Sequence, residues 1–331
     1  MTRIAVLGAG RIGKIHAANA AASRHASLVA VADPFGDAAR SLAEQLGCDA
    51  DSNPLDAISR ADVDAVIICT PTDTHVDLML AAARAGKAVL CEKPVDLDIK
   101  RADAAVAELE ALGVPVMLAF NRRFDPSSIE LRRAIDAGDI GDVRQVIISS
   151  RDPGLPPLDY LKHSGGIFKD MTIHDFDMAR WLLGEEPVSV MAVASRVVES
   201  TLSELDDFDT LMVIMQTESG KQCHINCCRE AVYGYDQRFE IFGSRGMLLN
   251  ENLRPTTVRR YTSEQTESRQ PLLNFFLERY ADAYRAELEA FLTALRDGRP
   301  MPVTPKDGRQ ALKLADCAVE SVRTGRMVKV D

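Results

Sequence analysis

This chain has no apolar run long enough to span a bilayer, no CxxC pair and no block of like charge. The first absence excludes a transmembrane helix. The opening MTRIAVLGAG lacks the charged segment, apolar core and cleavage site of a secretory leader. It reads as a strand entering a glycine turn. The formal charge of −10 is spread along the chain, so neither nucleic acid nor an anionic membrane is expected as a partner.

Cysteine is sparse and odd in number, seven in all, and mostly embedded in apolar runs such as AVIIC, AVLC and LADCAVE. That pattern fits the reduced core thiols of a cytoplasmic protein rather than a disulfide framework. One cluster, QCHINCC at 222–228, resembles a ligand set. On a strand, however, Cys223 and Cys227 share one face while His224 and Cys228 share the other. The set is split, and no zinc is expected.

What is present is material for two domains: 331 residues, 46% of them hydrophobic. Over residues 1–120, short apolar strands at 3–7, 28–32, 65–69, 88–91 and 116–119 alternate with helical stretches at 11–22, 37–46, 75–85 and 99–112. Strands apolar on both faces, separated by helices, indicate an α/β doubly wound parallel sheet. Over 121–331 the rhythm changes. A helix at 127–137 precedes strands at 143–150, 188–197, 208–217, 221–229, 237–242 and 247–250, with a GSRG turn at 243–246 as a hairpin. This half reads as α+β with a large, mostly antiparallel open sheet, closed by helices at 273–296 and 306–323. The strand FDTLMVIMQT is apolar on both faces. A second subunit is its expected cover, because a monomer rarely exposes such a patch.

GAGRIG at 8–13 follows the first strand and opens a helix, and Asp33 ends the next strand twenty positions after Gly13. Gly8 permits the tight turn, Gly10 lets the backbone approach a pyrophosphate, and Gly13 lets helix pack on strand. The free N–H groups of the helix then face the phosphates. Asp33 suits two ribose hydroxyls and repels a 2′-phosphate, so NAD is favoured over NADP. Ligands in such a sheet lie beyond the carboxyl ends of its strands. Two further segments leave strands there: CTPTDTH at 69–75, with Asp73 or Thr74 to cap the next helix, and CEKP at 91–94. The candidate cofactor contacts are Gly8, Gly10, Arg11, Ile12, Gly13, Asp33, Thr70, Pro71, Thr72, His75, Glu92 and Lys93.

DMTIHDFD at 170–177 places Asp170, His174 and Asp177 at helical spacing. Such a stripe serves a metal, acid–base chemistry, or only a solvated helix face. On a helix over about 168–183, apolar residues flank the stripe on both sides, so it is at least partly buried. Buried carboxylates and imidazoles are costly unless paired, which weakens the solvated reading. No second ligand cluster supports a metal. Asp175 is expected off the stripe toward solvent, and Asp177 stays open between helix packing and support of the site.

GAGRIG, Asp33, CTPTDTH, CEKP and then GGIFKDMTIHDFDMARWLLGEE, in this order, resemble the glucose–fructose oxidoreductase/inositol dehydrogenase family over essentially the whole chain. The DMTIHDFDMA stretch is most like the bacterial inositol 2-dehydrogenases. The resemblance implies a Rossmann domain followed by an α/β domain whose open sheet packs into a homotetramer. It implies a catalytic trio of Lys93, Asp170 and His174, and substrate contacts from those residues with Arg123 (beside Arg122), Asp152, and Tyr235 in preference to Tyr233. The implied reaction is NAD-dependent oxidation of myo-inositol to 2-keto-myo-inositol. Another cyclitol or an aldose is the alternative substrate, and a non-catalytic NAD-binding regulator the alternative class. The chemistry suits the residues: histidine as base near neutral pH, a carboxylate to orient it, and an ammonium to stabilise developing alkoxide and relay its proton.

Overall fold

The computed structural model describes residues 1–331 and divides into two compact units. The first is Met1–Phe124 with Ala283–Leu312, the second Asp125–Asp282 with Lys313–Asp331.

In the first unit, β1 (Thr2–Leu7), α1 (Arg11–Ala22), β2 (Ala26–Ala32), α2 (Gly36–Leu46), β3 (Asp49–Asp51), α3 (Pro54–Ser59), β4 (Ala65–Ile68), α4 (His75–Arg84), β5 (Ala88–Glu92), α5 (Ile99–Leu112) and β6 (Val116–Ala119) alternate. The sheet order is β3-β2-β1-β4-β5-β6, parallel throughout. β1 and β4 lie at its centre, and Ile4 to Leu7 and Ala65 to Ile68 are fully buried. The winding reverses between β1 and β4, outward to β2 and β3 on one side and to β5 and β6 on the other, which creates the crevice at which such folds bind dinucleotides.

The second unit begins with α6 (Pro126–Asp136), whose N-cap Asp125 accepts from Ser127 N–H. Then follow β7 (Val143–Arg151), α7 (Leu158–Leu161), α8 (Gly166–Asp170), α9 (Ile173–Leu183), β8 (Pro187–Ser195), β9 (Thr210–Thr217), β10 (Gln222–Cys228), β11 (Asp236–Gly243) and β12 (Met247–Asn250). A two-stranded arm, β13 (Arg259–Arg260) and β14 (Ser268–Arg269), precedes α10 (Phe276–Arg279), α11 (Ala281–Asp297), α12 (Pro305–Thr324) and β15 (Val328–Lys329). The seven-stranded sheet runs β12-β11-β7-β10-β9-β8-β15, antiparallel except for the β7–β10 pair. The GSRG turn joins β11 to β12, with Phe242 opposite Met247. Helix α9 packs on β7 and β10.

Three sequence expectations change. The helix over 273–296 is two helices, interrupted at Tyr280, next to the point where Arg279 turns inward to a buried ion pair with Asp125. Most of α11 belongs to the first unit rather than the second. Its Tyr284 packs edge-on against His16, and its Glu289 accepts from Ser23 Oγ (2.6 Å). The helix over 168–183 is also two pieces. Thr172 N–H bonds back to Ile167 O (2.9 Å), and α9 restarts from Thr172, whose carbonyl accepts from Phe176 N–H (2.9 Å).

Candidate active site

Gly8 leaves β1 with φ +100°, and a Cβ there would come 2.6 Å from the Cys69 carbonyl oxygen. A Cβ on Gly13 would collide with the Gly8 carbonyl oxygen. Both positions therefore require glycine for close packing of turn, helix and sheet. At Gly10 a Cβ would meet nothing within 4 Å, so this side of the turn is open. An α-helix offers no intrahelical acceptor to its first N–H groups, and phosphate oxygens suit that position at the start of α1. Arg11 and Ile12 form the first residues of α1. Asp33 Oδ2 accepts from Ala9 N–H (2.7 Å) and Oδ1 from Phe35 N–H (2.8 Å). The carboxylate is thus fixed at the end of β2 beside the glycine turn. These residues fit a dinucleotide.

Beyond β4, Thr70 Oγ1 lies 2.6 Å from Thr74 Oγ1, and Thr74 Oγ1 donates to Pro71 O (2.7 Å). Neither Asp73 nor Thr74 caps α4, because Thr74 spends its hydroxyl on Pro71 instead. His75 is buried, its Nδ1 2.7 Å from Pro94 O and its Nε2 2.9 Å from Thr70 O. Both ring nitrogens face backbone carbonyls, so the imidazole, which when neutral donates to one of them, packs between the Thr70 and Glu92–Lys93–Pro94 segments and turns neither nitrogen to a cofactor. Burial pushes its pKa down; the two carbonyls oppose this and lose. Lys93 precedes a cis Pro94. Glu92 Oε1 lies 3.0 Å from Nε2 of the buried His16. Arg123 donates to Asp307 Oδ1 (3.0 Å), which commits part of its guanidinium within the same unit, and its neighbour Arg122 is also buried.

In the second unit, Asp170 ends α8 and His174 lies in the first turn of α9. They remain four positions apart, but on two helix segments rather than one continuous stripe. Tyr160 Oη donates to Asp170 Oδ1 (2.8 Å), and Arg229 Nη2 lies 3.9 Å from Oδ2. Asp175 does not face solvent. It is fully buried, and Cys227 Sγ donates to its Oδ2 (3.5 Å). The break between α8 and α9 rotates α9 and turns this carboxylate onto β10. Asp177 is buried beside Arg180 (3.7 Å), which also pairs with Glu186 (2.5 Å). Asp177 therefore has a packing and ion-pair role within α9.

Asp152 follows β7, its N–H bonded to Cys228 O (2.9 Å) and its carbonyl accepting from Ala231 N–H (2.8 Å). Tyr235 is buried, edge-on to Phe275 (6.3 Å) and Tyr280 (6.0 Å). Tyr233 is more exposed and donates to Asp236 Oδ2 (2.6 Å), while accepting from Arg151 (2.8 Å). Burial and Asp236 push its phenol pKa up. The sequence reading did not single out His16, Tyr160, Arg229 or Glu287. Of these, only His16 had a signal, one helical step beyond Gly13 in GRIGKIHAA.

Residues 2–120 match the family model described as "Oxidoreductase family, NAD-binding Rossmann fold", and residues 132–330 match "Oxidoreductase family, C-terminal alpha/beta domain". The chain belongs to this oxidoreductase family. It is 50% identical over 329 residues to the inositol 2-dehydrogenase of Rhizobium meliloti, covering 99% of each chain. It is 44% identical to the myo-inositol 2-dehydrogenase of Thermotoga maritima, covering 99% of this chain and 98% of that one. The solved scyllo-inositol dehydrogenase of Lactobacillus casei, with bound cofactor NAD(H) and scyllo-inositol, superposes with a TM-score of 0.93 at 31% identity, over 100% of this chain and 99% of that one. The protein is an NAD-binding oxidoreductase of α/β architecture, and the expected family and fold hold.

Proposed function

We propose that this chain oxidises myo-inositol at one ring hydroxyl to 2-keto-myo-inositol, with NAD. The observation that carries the reading is full-length identity of 50% and 44% to two inositol 2-dehydrogenases, with Lys93, Asp170 and His174 all present in this chain.

NAD, when bound, supplies the hydride acceptor. Gly8, Gly10, Arg11, Ile12 and Gly13 receive its pyrophosphate and Asp33 its ribose, while Thr70, Pro71, Thr72 and Glu92 line the neighbouring strand ends. His75 acts behind them as a brace. The His174 imidazole takes the hydroxyl proton as the carbon–hydrogen bond breaks, since its pKa range suits a base at neutral pH. Asp170, held by Tyr160, orients that ring and stabilises the imidazolium. The Lys93 ammonium stabilises negative charge on the substrate oxygen and can relay its proton. Arg123, Asp152 and Tyr235 contact the remaining hydroxyls.

The reading includes a cytoplasmic homotetramer assembled through the second unit's sheet. In its support, Met212 and Ile214 are 54% and 52% exposed on the outer face of β9, while Leu211, Val213 and Met215 on the other face are buried. A second reading, a different cyclitol as substrate, is favoured by the relative solved with scyllo-inositol.

Reduction of NAD and NADP with myo-, scyllo- and chiro-inositol, glucose and galactose tests the proposal. The expected result is fastest turnover with NAD and myo-inositol. A preference for scyllo-inositol or an aldose would move the substrate assignment. Tight NAD binding with no turnover on any of them would leave a regulator.

A further inference from the structure

We propose that Arg229 is a positioning residue for this reaction: its fixed charge offsets and orients the Asp170 carboxylate that serves His174. The inference rests on the reading of Asp170 and His174 as the catalytic pair.

Arg229 lies just past β10, its N–H bonded to Asp209 O (2.8 Å), and its side chain is only 1% exposed. Nη2 is 3.6 Å from Asp207 Oδ2 and 3.9 Å from Asp170 Oδ2. Neither separation is a hydrogen bond, and Nε and Nη2 have no hydrogen-bond partner. The guanidinium therefore acts here through its charge. It cannot shed that charge in a protein, and burying it is costly unless carboxylates face it.

The two carboxylates are held differently. Asp207 Oδ1 accepts from Ile167 N–H and Phe208 N–H, both at 2.7 Å, which fixes Asp207 to the first turn of α8. Asp170, at the end of α8, gives Oδ1 to the Tyr160 hydroxyl and turns Oδ2 toward Arg229. Arg229 thus joins both ends of the helix that presents Asp170. Other charged or titratable groups on the packed elements have partners of their own. Arg196 Nε donates to Asp207 O (2.6 Å), and Asp209 accepts from the N–H groups of Val197, Val198 and Glu199. Asp175 of α9 meets Cys227 of β10, Asp177 and Arg180 pair within α9, and Lys169 pairs with Asp316 (2.7 Å), while β10 also carries His224 and Cys228.

Charge counting gives variants with opposite signs. Arg229→Met leaves Asp170 and Asp207 without their counter-charge, which favours imidazolium on His174. The acidic limb of kcat/KM then moves to higher pH, by about one unit. Asp207→Asn leaves Arg229 in excess and moves the limb to lower pH. The double variant Arg229→Met/Asp207→Asn restores the local net charge and returns the limb toward the wild-type position, and Arg229→Lys keeps it there. NAD binding, followed by fluorescence titration, stays near wild type in every variant that folds.

The test is the pH profile of kcat/KM for these four variants, with Asp170→Asn alongside. If Arg229→Met fails to fold, Asp207→Asn and the double variant still carry opposite expectations. A limb that stays fixed in Asp207→Asn, or that moves the same way in Asp207→Asn and Arg229→Met, overturns the inference. If Asp170→Asn keeps wild-type kcat and profile, the reading of the catalytic pair fails instead. Loss of kcat in Asp170→Asn beside a fixed limb in the others removes only the role of Arg229.

Discussion

His16 Nε2 lies 3.0 Å from Glu92 Oε1 in the first unit, and the pair shares its buried surroundings with the carboxyl of Glu287. Glu287 is fully buried, and neither of its oxygens has a hydrogen-bond partner. Burial first, and the negative charge of Glu92 second, push its pKa well above the ordinary glutamate value. Between the unfolded and the folded pKa, folding therefore takes up a proton at Glu287.

The sign of the pH dependence follows. A carboxyl whose folded pKa is raised contributes fully below its unfolded pKa, and that contribution is lost as pH rises through the folded value. Glu287→Gln keeps the shape without the titration. Its Tm should match wild type near pH 4 and exceed it increasingly toward pH 8, with a differential slope of up to about 1.4 kcal/mol per pH unit. A Tm difference that does not change with pH would mean Glu287 carries no such proton.

Asp33 uses both carboxylate oxygens on backbone N–H groups, from Ala9 and Phe35. It therefore braces the glycine turn, and in the proposed reading it also supplies negative charge at the ribose. Asp33→Ala should weaken NAD binding by roughly 10-fold or more, the scale of losing charged hydrogen bonds. It should also narrow the gap between NAD and NADP, because the repulsion of a 2′-phosphate goes with the carboxylate. Fluorescence titration with both cofactors measures this. An unchanged ratio of the two affinities would remove Asp33 from cofactor discrimination.

The cofactor-binding half was the more legible in sequence. Its glycine turn, the acid after β2 and the strand ends are local signals, and the spacing of GAGRIG to Asp33 needs no tertiary knowledge. β3 and α3 are not legible because DAD and PLDAIS, three and six residues long, are too short to show a period. The stripe at 170–177 was legible only in part. Its residue types suited acid–base chemistry, but the break at Met171–Thr172 follows from a backbone bond to Ile167 that no spacing reveals. That break put Asp175 against Cys227. Arg229 and Glu287 were invisible for a related reason: a lone charged residue acquires its meaning from partners distant in sequence.

His174 sits in the first turn of α9, so removing its side chain leaves the helix and the NAD-binding unit intact. His174→Ala should lower kcat by about 10²–10⁴-fold, the usual contribution of a general base, with NAD affinity nearly unchanged. Stopped-flow turnover beside a cofactor titration separates the two quantities. Equal loss of both would show a folding defect and sink the assignment of His174 as base.

The outer face of the second unit's sheet carries Ile147 of β7, Val193 of β8, Met212 and Ile214 of β9, and Phe242 of β11, all exposed within one chain. Register places Val193 opposite Met212 and Met191 opposite Ile214, so the β8 and β9 side chains adjoin, while His224 of β10 lies between Ile214 and Ile147. A patch of this kind supports the proposed interface between copies of the chain. In a symmetric assembly each substitution is repeated in every copy, and a carboxylate buried there without a partner costs several kcal/mol. Ile214→Glu should therefore lower the mass seen by light scattering below that of wild type at equal concentration. The far-UV spectrum should stay as it is, because Ile214 faces away from the core side of β9. An unchanged mass would mean that this face does not hold subunits together.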